Sequence, residues 1–289
     1  MGLSIQSVSC ATSGRPEQVL AQQLGLSRRV IVNWLRAGLI RKESGRLRKG
    51  DRVTAGETLY LSLEGRLGEW IPPALPSMPL LAETDDWLAL NKPSGMPSHL
   101  SMPFECGTVL NHFTFHDPCC AHVGDDPLQG SLVHRLDNEA SGTIIAARHA
   151  RSYQELRTAF AQGDVRRVYR ARVSSLKEHL PTGVGECRSA LLARGTRVIV
   201  DPMGRATHTV WRSLDAHGLL EIEIMTGHRH QIRVHLASQG WPILGDQLYG
   251  GAPNSRLALH CVALCWGDHE LRSPIPETLE PRTSPIKIS

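Results

Sequence analysis

Apolar positions along this chain recur at two different spacings, and the change from one to the other divides it. Val19, Leu20 and Leu24, then Val30, Ile31, Trp34 and Leu35, fall at helical spacing and predict two short helices broken near Gly25. Ser27 is the expected N-cap of the second helix and Gly38 its stop. Short strand-like pieces follow, punctuated by Gly50-Asp51 and Gly56-Glu57 and ending in Thr58-Leu59-Tyr60-Leu61. Between Gly65 and Leu81, Pro72, Pro73, Pro76 and Pro79 exclude a helix or a central strand and predict a semi-rigid linker. Beyond it strand patterns dominate. Trp87-Leu88-Ala89-Leu90 reads as a strand turning at Lys92-Pro93-Ser94-Gly95, and residues 104–130 read as loop-rich. Tyr153, Leu156 and Phe160 mark one face of a helix ended by Gly163. Residues 166–173 alternate, with Tyr169, Ala171 and Val173 on one face and Arg170 and Arg172 on the other. Leu220-Glu221-Ile222-Glu223-Ile224 is a half-buried strand, and Ile232, His235 and Leu236 mark a further helix. Runs of strands with few helices predict an α+β fold with a mainly antiparallel mixed sheet. The expected division is a small N-terminal α/β domain over 1–65, a linker over 66–82 and a larger domain over 83–289.

The length of 289 residues agrees with two domains. No run of about eighteen apolar residues is present, so no membrane partner is expected. The N-terminus has no charged-then-apolar leader, and Gln6 occupies the Ser/Thr position of a myristoylation signal. Seven irregularly spaced Cys point to reduced thiols and a cytoplasmic location. The net charge of +4 becomes informative once divided: residues 1–63 hold ten Lys/Arg against four acids, an excess of six, so the rest sums to −2. Positive charge concentrated in this way is the footprint of a polyanion partner, with a merely solvated basic face as the bland reading. Arg28, Arg29 and Arg36 can lie along the second helix beside the Arg46, Arg48 and Lys49 cluster, and these six are the candidate nucleic-acid contacts. The layout resembles the small RNA-binding domain shared by a ribosomal small-subunit protein, some tRNA synthetases and several RNA-modifying enzymes. Lys42-Glu43-Ser44-Gly45 replaces that domain's usual Asn-Gly turn.

Several chemistries lack their motifs. There is no Gly-rich loop ending in Gly-Lys-Ser/Thr, no dinucleotide fingerprint and no Gly-x-Ser-x-Gly elbow. His112, His116, Cys119, Cys120 and His122 are zinc-ligand types, but adjacent Cys119-Cys120 suits one tetrahedral centre poorly and paired Cys-x-x-Cys ribbons are missing. A His-rich surface loop is the preferred reading, and no metal is expected. Cys261 and Cys265 share a strand face with Ala263 and are expected as core fillers. In Ser131-Leu132-Val133-His134-Arg135-Leu136-Asp137-Asn138-Glu139-Ala140-Ser141-Gly142, apolar runs flank a charged corner at which Asp137 either caps a turn or performs chemistry. An ionised carboxylate in a water-poor pocket needs a cation, and Arg serves better than Lys because it stays charged and forks around a carboxylate. Arg233 and the strand residue Tyr169 are the companion candidates; spacing does not say whether Asp137 meets Arg233.

His134-Arg135-Leu136-Asp137 followed by Ser141-Gly142 resembles the signature of the RluA-type pseudouridine synthases. The agreement continues through Asn91-Lys92-Pro93-Ser94-Gly95, Arg167-Val168-Tyr169, Gly227 to Leu236, Leu244-Gly245-Asp246-Gln247-Leu248-Tyr249-Gly250 and Arg256-Leu257-Ala258-Leu259-His260, in the family's order. The resemblance implies the pseudouridine synthase fold and an isomerase of uridines in RNA, with ribosomal RNA favoured over tRNA and no cofactor. It implies that Asp137 attacks or deprotonates the ribose side of uridine, that Tyr169 stacks on the uracil with a part in removing the carbon-5 proton, and that Arg233 pairs with Asp137. It places Arg135, with His134 beside it, at the RNA, where Arg135 fills the stack left by the flipped nucleotide. The chain departs from the family at His228-Arg229, where Arg-Thr is usual, and at Asn138 and Ala140. These changes bear on RNA positioning rather than reaction type. The rival of a different class is a catalytically silent RNA-binding or assembly factor on the same scaffold, against which Asp137, Tyr169 and Arg233 together speak.

Overall fold

The computed structural model describes residues 4–63, 69–75, 78–176 and 179–281. Residues 66–68 and 76–77 of the expected linker, Pro76 included, lie outside the described residues, as does Gly2. The chain forms two compact units, the first made of residues up to 77 with 99–132 and 148–150, the second of the remainder. The expected division at 66–82 did not anticipate that 99–132 would group with the N-terminal residues.

In the first unit, β1 (Ser4–Ser9), α1 (Pro16–Leu24), α2 (Arg28–Ala37), β2 (Ile40–Lys42), β3 (Gly45–Arg46) and β4 (Thr58–Leu63) follow one another, and the sheet order is β1-β4-β2-β3, antiparallel throughout. Pro16 opens α1, where its missing N–H costs nothing. Gly25 at φ 66 and Gly38 at φ 74 end the two helices in the left-handed conformation that glycine adopts without a Cβ clash. Ser27 stands at the N-cap in extended conformation, but its hydroxyl makes no capping bond. Helix α2 buries Val30, Ile31, Trp34 and Leu35. Residues 104–130, expected as loop, contain α3 (Val109–His116), started by a capping box in which Asn111 Oδ1 accepts from Thr108 N at 2.9 Å and Thr108 Oγ1 at 2.8 Å. The Pro-rich stretch, where described, is packed rather than a free spacer. Trp70 and Ile71 are buried, and the Trp70 ring lies 6.1 Å from Trp34 and 5.7 Å from Phe104. Asn111 Nδ2 donates to Pro72 O at 2.7 Å.

The second unit is built on a nine-stranded sheet of β5 (Leu80–Glu83), β6 (Trp87–Lys92), β7 (Ser141–Ala147), β8 (Arg166–Arg172), β9 (Val184–Cys187), β12 (Thr209–Ser213), β13 (Leu219–Ile224), β14 (Leu259–Trp266) and β15 (His269–Arg272). Its order is β5-β6-β7-β14-β8-β13-β12-β9, with β15 on β14; only β7 and β14 pair in parallel. A separate hairpin joins β10 (Leu191–Arg194) to β11 (Arg197–Val200). Helix α4 (Ala150–Gln162) buries Tyr153, Leu156 and Phe160 as its spacing predicted, and α5 (Gln231–Ser238) follows β13. The α+β class with a mainly antiparallel mixed sheet is therefore observed. Arg172 is buried where Arg170 on the same strand is half-buried, and Cys265, expected as a core filler, is not fully buried. Arg172 is buried because Asp215 at 3.1 Å and the carbonyls of His217, Thr278 and Glu280 satisfy its guanidinium. A bulge between Cys261 and Ala263 breaks the alternation of β14, leaving Cys265 half-buried beside Arg166.

One glycine decides where the signature loop ends. Gly142 has φ 119, and a Cβ there would lie 2.2 Å from Cys261 O. Only glycine lets β7 approach β14 closely enough to pair there, so Ser141 is held against His260.

Candidate active site

The loop before β7 is pinned through its backbone, mostly by residues 92–98. Ser98 Oγ donates to Leu136 O at 2.8 Å and accepts from Leu136 N at 3.2 Å. Asn138 O accepts from Gly95 N at 2.8 Å and from Lys92 Nζ at 2.9 Å; Ser94 Oγ donates to Glu139 O at 2.5 Å. The Lys92 ammonium also donates to Pro93 O and Met96 O, so a fully buried cation finds three acceptors. Burial lowers its pKa to about 8 against the raising effect of Asp137 and Glu139. At the far end, Ser141 Oγ bonds His260 Nδ1 at 2.8 Å and accepts from Arg256 Nη1 at 2.9 Å. The loop leaves Arg135 and Glu139 exposed and the Asp137 side chain 20% exposed, whereas Leu136 turns inward and is buried.

Arg233, on the first turn of α5, faces this rim. Its Nη1 donates to Asp137 Oδ2 at 3.3 Å and approaches Glu139 Oε2 at 3.5 Å. The contact that spacing left open is thus made. Two shorter bonds, Nε and Nη2 to Asp246 at 2.7 and 2.8 Å, fork around a second carboxylate that is completely buried. Burial lowers the Arg233 pKa, but Asp246 and then Asp137 outweigh it and the shift is upward. The Tyr249 ring lies 5.3 Å from the guanidinium carbon, and the Tyr249 hydroxyl meets His230 Nδ1 at 2.8 Å. His230 occupies the N-cap of α5 at φ 57, an uncommon conformation for a residue with a Cβ.

Tyr169 projects from β8 opposite Cys261 of β14 and is buried. Burial raises its pKa well above the usual phenol value, and the neighbouring Cys261 and the Asp137 charge push the same way. Its ring is therefore an un-ionised phenol at neutral pH. Burial likewise raises the Cys261 thiol to about 12.

His134 corrects an expectation. Predicted at the RNA, it instead stacks on Phe160 at 4.7 Å and accepts a hydrogen bond at Nε2 from Ile145 N at 3.1 Å. It is buried because the strand following the loop folds back and uses the ring as an acceptor. Burial, reinforced by the Arg167 charge, lowers its pKa to about 3, and burial lowers His260 to about 4. Both folded-state values lie below the unfolded value near 6.5. The unfolded chain therefore binds more protons as pH falls from about 6.5 toward 4, and stability present above 6.5 is lost over that interval. The expected slope is about 1.4 kcal/mol per pH unit for each histidine. Urea denaturation at pH 7, 6 and 5 measures it, and His134→Gln should remove one histidine's share. An unchanged slope in that variant would contradict the assignment.

The N-terminal candidates Arg28, Arg29, Arg36, Arg46, Arg48 and Lys49 are all exposed in the first unit. Arg46 is committed locally, since its Nη2 donates to Arg36 O at 2.6 Å and its guanidinium covers the end of α2. The Cys and His residues of 112–122 divide between α3, a short 3-10 turn and their surroundings; among the described residues no group of three or more His, Cys, Asp or Glu is placed to hold a metal. No described helix is long and apolar enough to cross a membrane. Sequence reasoning gave no role to Asp246, Lys92 or Tyr249. The signal available for Asp246 was the glycines around it, Gly245 and Gly251, at which a Cβ would collide with the backbone of Arg256 and Ile243.

Comparison with known proteins gives a consistent result. Residues 86–238 match the family described as RNA pseudouridylate synthase. The chain is 29% identical over 253 residues to the uncharacterized RNA pseudouridine synthase YhcT of Bacillus subtilis, spanning 84% of this chain and 81% of that protein. It is 30% identical over 242 residues to ribosomal large subunit pseudouridine synthase D of Pseudomonas aeruginosa, spanning 82% and 74%. The solved structure of human RNA Pseudouridylate Synthase Domain Containing 1 shares the fold, with a TM-score of 0.58 at 18% identity over 72% of this chain and 89% of that one.

Proposed function

The chain belongs to the RNA pseudouridylate synthase family, of the RluA type, and from that premise we propose how its side chains isomerise uridine and which RNA they act on. In the reaction the bond from ribose C1′ to uracil N1 breaks, the base turns, and C1′ bonds to carbon 5. The carbon-5 proton leaves and N1 gains one, so nothing is oxidised or reduced. A target base inside a helix must first be flipped out, at a cost of a few kcal/mol that protein contacts offset. Arg135 fills the vacated stack, a role suited to an exposed Arg between two buried neighbours. Asp137 acts on the ribose side of the extruded uridine.

The observation that carries this reading is a partly exposed carboxylate on a loop fixed through its backbone, beside a buried arginine. Asp137 is partly open to solvent, where a nucleotide could reach it, and Arg233 Nη1 donates to its Oδ2 at 3.3 Å. Tyr169 stacks against the uracil. Because its phenol is held protonated, it takes up the carbon-5 proton only if its own proton passes on in the same step. The experiment is tritium release from carbon 5 of labelled uridine in RNA.

The substrate we propose is large-subunit ribosomal RNA, as the name of the Pseudomonas aeruginosa relative says of that protein. Mapping pseudouridines in a strain lacking this chain should show one or more missing from that RNA. Losses confined to tRNA would refute the proposal. The exposed basic residues of the first unit add affinity without base specificity. Replacing Arg28, Arg29, Arg48 and Lys49 by Gln should weaken RNA binding and flatten its dependence on salt by about 0.7–0.9 in log–log slope per lost phosphate contact. Arg46 is left intact because it caps α2. An unchanged slope would remove these residues from the interface.

A further inference from the structure

We propose that Asp246 is a positioning residue for the isomerisation: it holds Arg233 as a fixed cation, so that Asp137 is free to leave the pair and engage the nucleotide. This rests on the reading of Asp137 as the reacting carboxylate.

Three carboxylates, Asp137, Glu139 and Asp246, share the Arg233 guanidinium, and the geometry ranks them. Asp246 takes the two-bond fork at 2.7 and 2.8 Å, while Asp137 receives one bond at 3.3 Å and Glu139 one at 3.5 Å. Asp246 has no solvent exposure, and its Oδ1 also accepts from Leu248 N and Tyr249 N at 3.2 Å. Its loop cannot relax: a Cβ on Gly245, at φ 79, would lie 2.1 Å from Arg256 O, and one on Gly251 would lie 1.9 Å from Ile243 O. Together with the Tyr249 ring, this fixes Arg233 from sides that Asp137 does not occupy.

A guanidinium forks around whichever carboxylate offers the better geometry. Without Asp246, the Arg233 fork turns toward Asp137, the nearest remaining carboxylate. Two bonds would then hold Asp137 in the ground state and be lost when it moves to the nucleotide. Binding that is stronger before the transition state than in it lowers kcat and leaves RNA affinity unchanged.

The test measures kcat and KM for tritium release by Asp246→Asn and Asp246→Glu, each corrected for its folded fraction by near-UV circular dichroism. The Asn variant should lose kcat on the order of 100-fold, the scale of a misplacement by about an ångström, with KM within about twofold of wild type. The Glu variant keeps the charge at a shifted position and should recover part of that loss. Wild-type kcat in folded Asp246→Asn, or a raised KM with kcat retained, would overturn the proposal. If the Asn variant does not fold, the Glu variant decides: lowered kcat at constant KM supports the positioning role and wild-type kcat overturns it. Asp137→Asn is assayed in parallel. Activity surviving in that variant overturns the reading on which the proposal rests, whereas its loss beside an unaffected Asp246→Asn overturns the proposal alone.

Discussion

Asp137→Asn should lower tritium release from carbon 5 by at least about 10⁴-fold, the scale seen when a reacting carboxylate or nucleophile is removed. The substitution keeps the shape of the side chain and removes only its charge. The loop should remain in place, because its hydrogen bonds to Ser94, Gly95, Lys92 and Ser98 run through the backbone of Leu136, Asn138 and Glu139. Arg233 keeps its fork with Asp246. Stability should therefore change by no more than about 1 kcal/mol, as for the loss of one weakly held, partly exposed ion pair. The pair of results, activity lost and denaturation midpoint kept, separates chemistry from folding. Activity within tenfold of wild type would exclude Asp137 as the reacting group, and with it the main distinction between this enzyme and a catalytically silent RNA-binding factor.

Arg233→Met should have the largest effect on stability, about 3–5 kcal/mol of destabilisation by urea denaturation. Met fills much of the same volume, so the cost lies in what it leaves behind. Asp246 is fully buried, and without the guanidinium its remaining partners are two backbone N–H groups at 3.2 Å. An uncompensated buried carboxylate is the expensive remainder. Arg233→Lys should recover only part of the loss, since an ammonium cannot fork around Asp246 and reach Asp137 together. The double change Arg233→Met with Asp246→Leu removes both charges and should restore much of the stability without restoring tritium release. If the single Met variant is as stable as wild type, the buried pair is not what holds this corner together.

Much of the fold was legible where one local pattern decides it. Helices α1, α2, α4 and α5 followed from apolar spacing, and Gly25 and Gly38 marked the ends of the first two. Helix α3 was not legible because it is only eight residues long and polar Asn111, His112, Thr114 and His116 interrupt its apolar positions. Strand β1 was hidden for a different reason. Its residues are mostly small and polar, and it is a strand because β4, 49 to 59 positions further along, pairs with it along its length. The burial of Trp70 and Ile71 was also unreadable, since four nearby prolines look the same in a free spacer and in a packed segment.

By itself the sequence determined which groups carry charge, where the chain bends, and, through ordered motifs, the kind of reaction. The identities of Asp137, Tyr169 and Arg233 are covalent facts that need no folding. Their availability is not. Asp137, Glu139 and Asp246 are the same functional group, yet one is partly open, one exposed and one sealed. His134 stands three residues from Asp137 and is shut in the core as a neutral acceptor. A side chain's charge belongs to its chemistry, whereas its desolvation and partners belong to segments brought together from far along the chain. That is why only the tertiary structure decided that one carboxylate is partly open to solvent while another, 109 positions later, is sealed and holds the arginine between them.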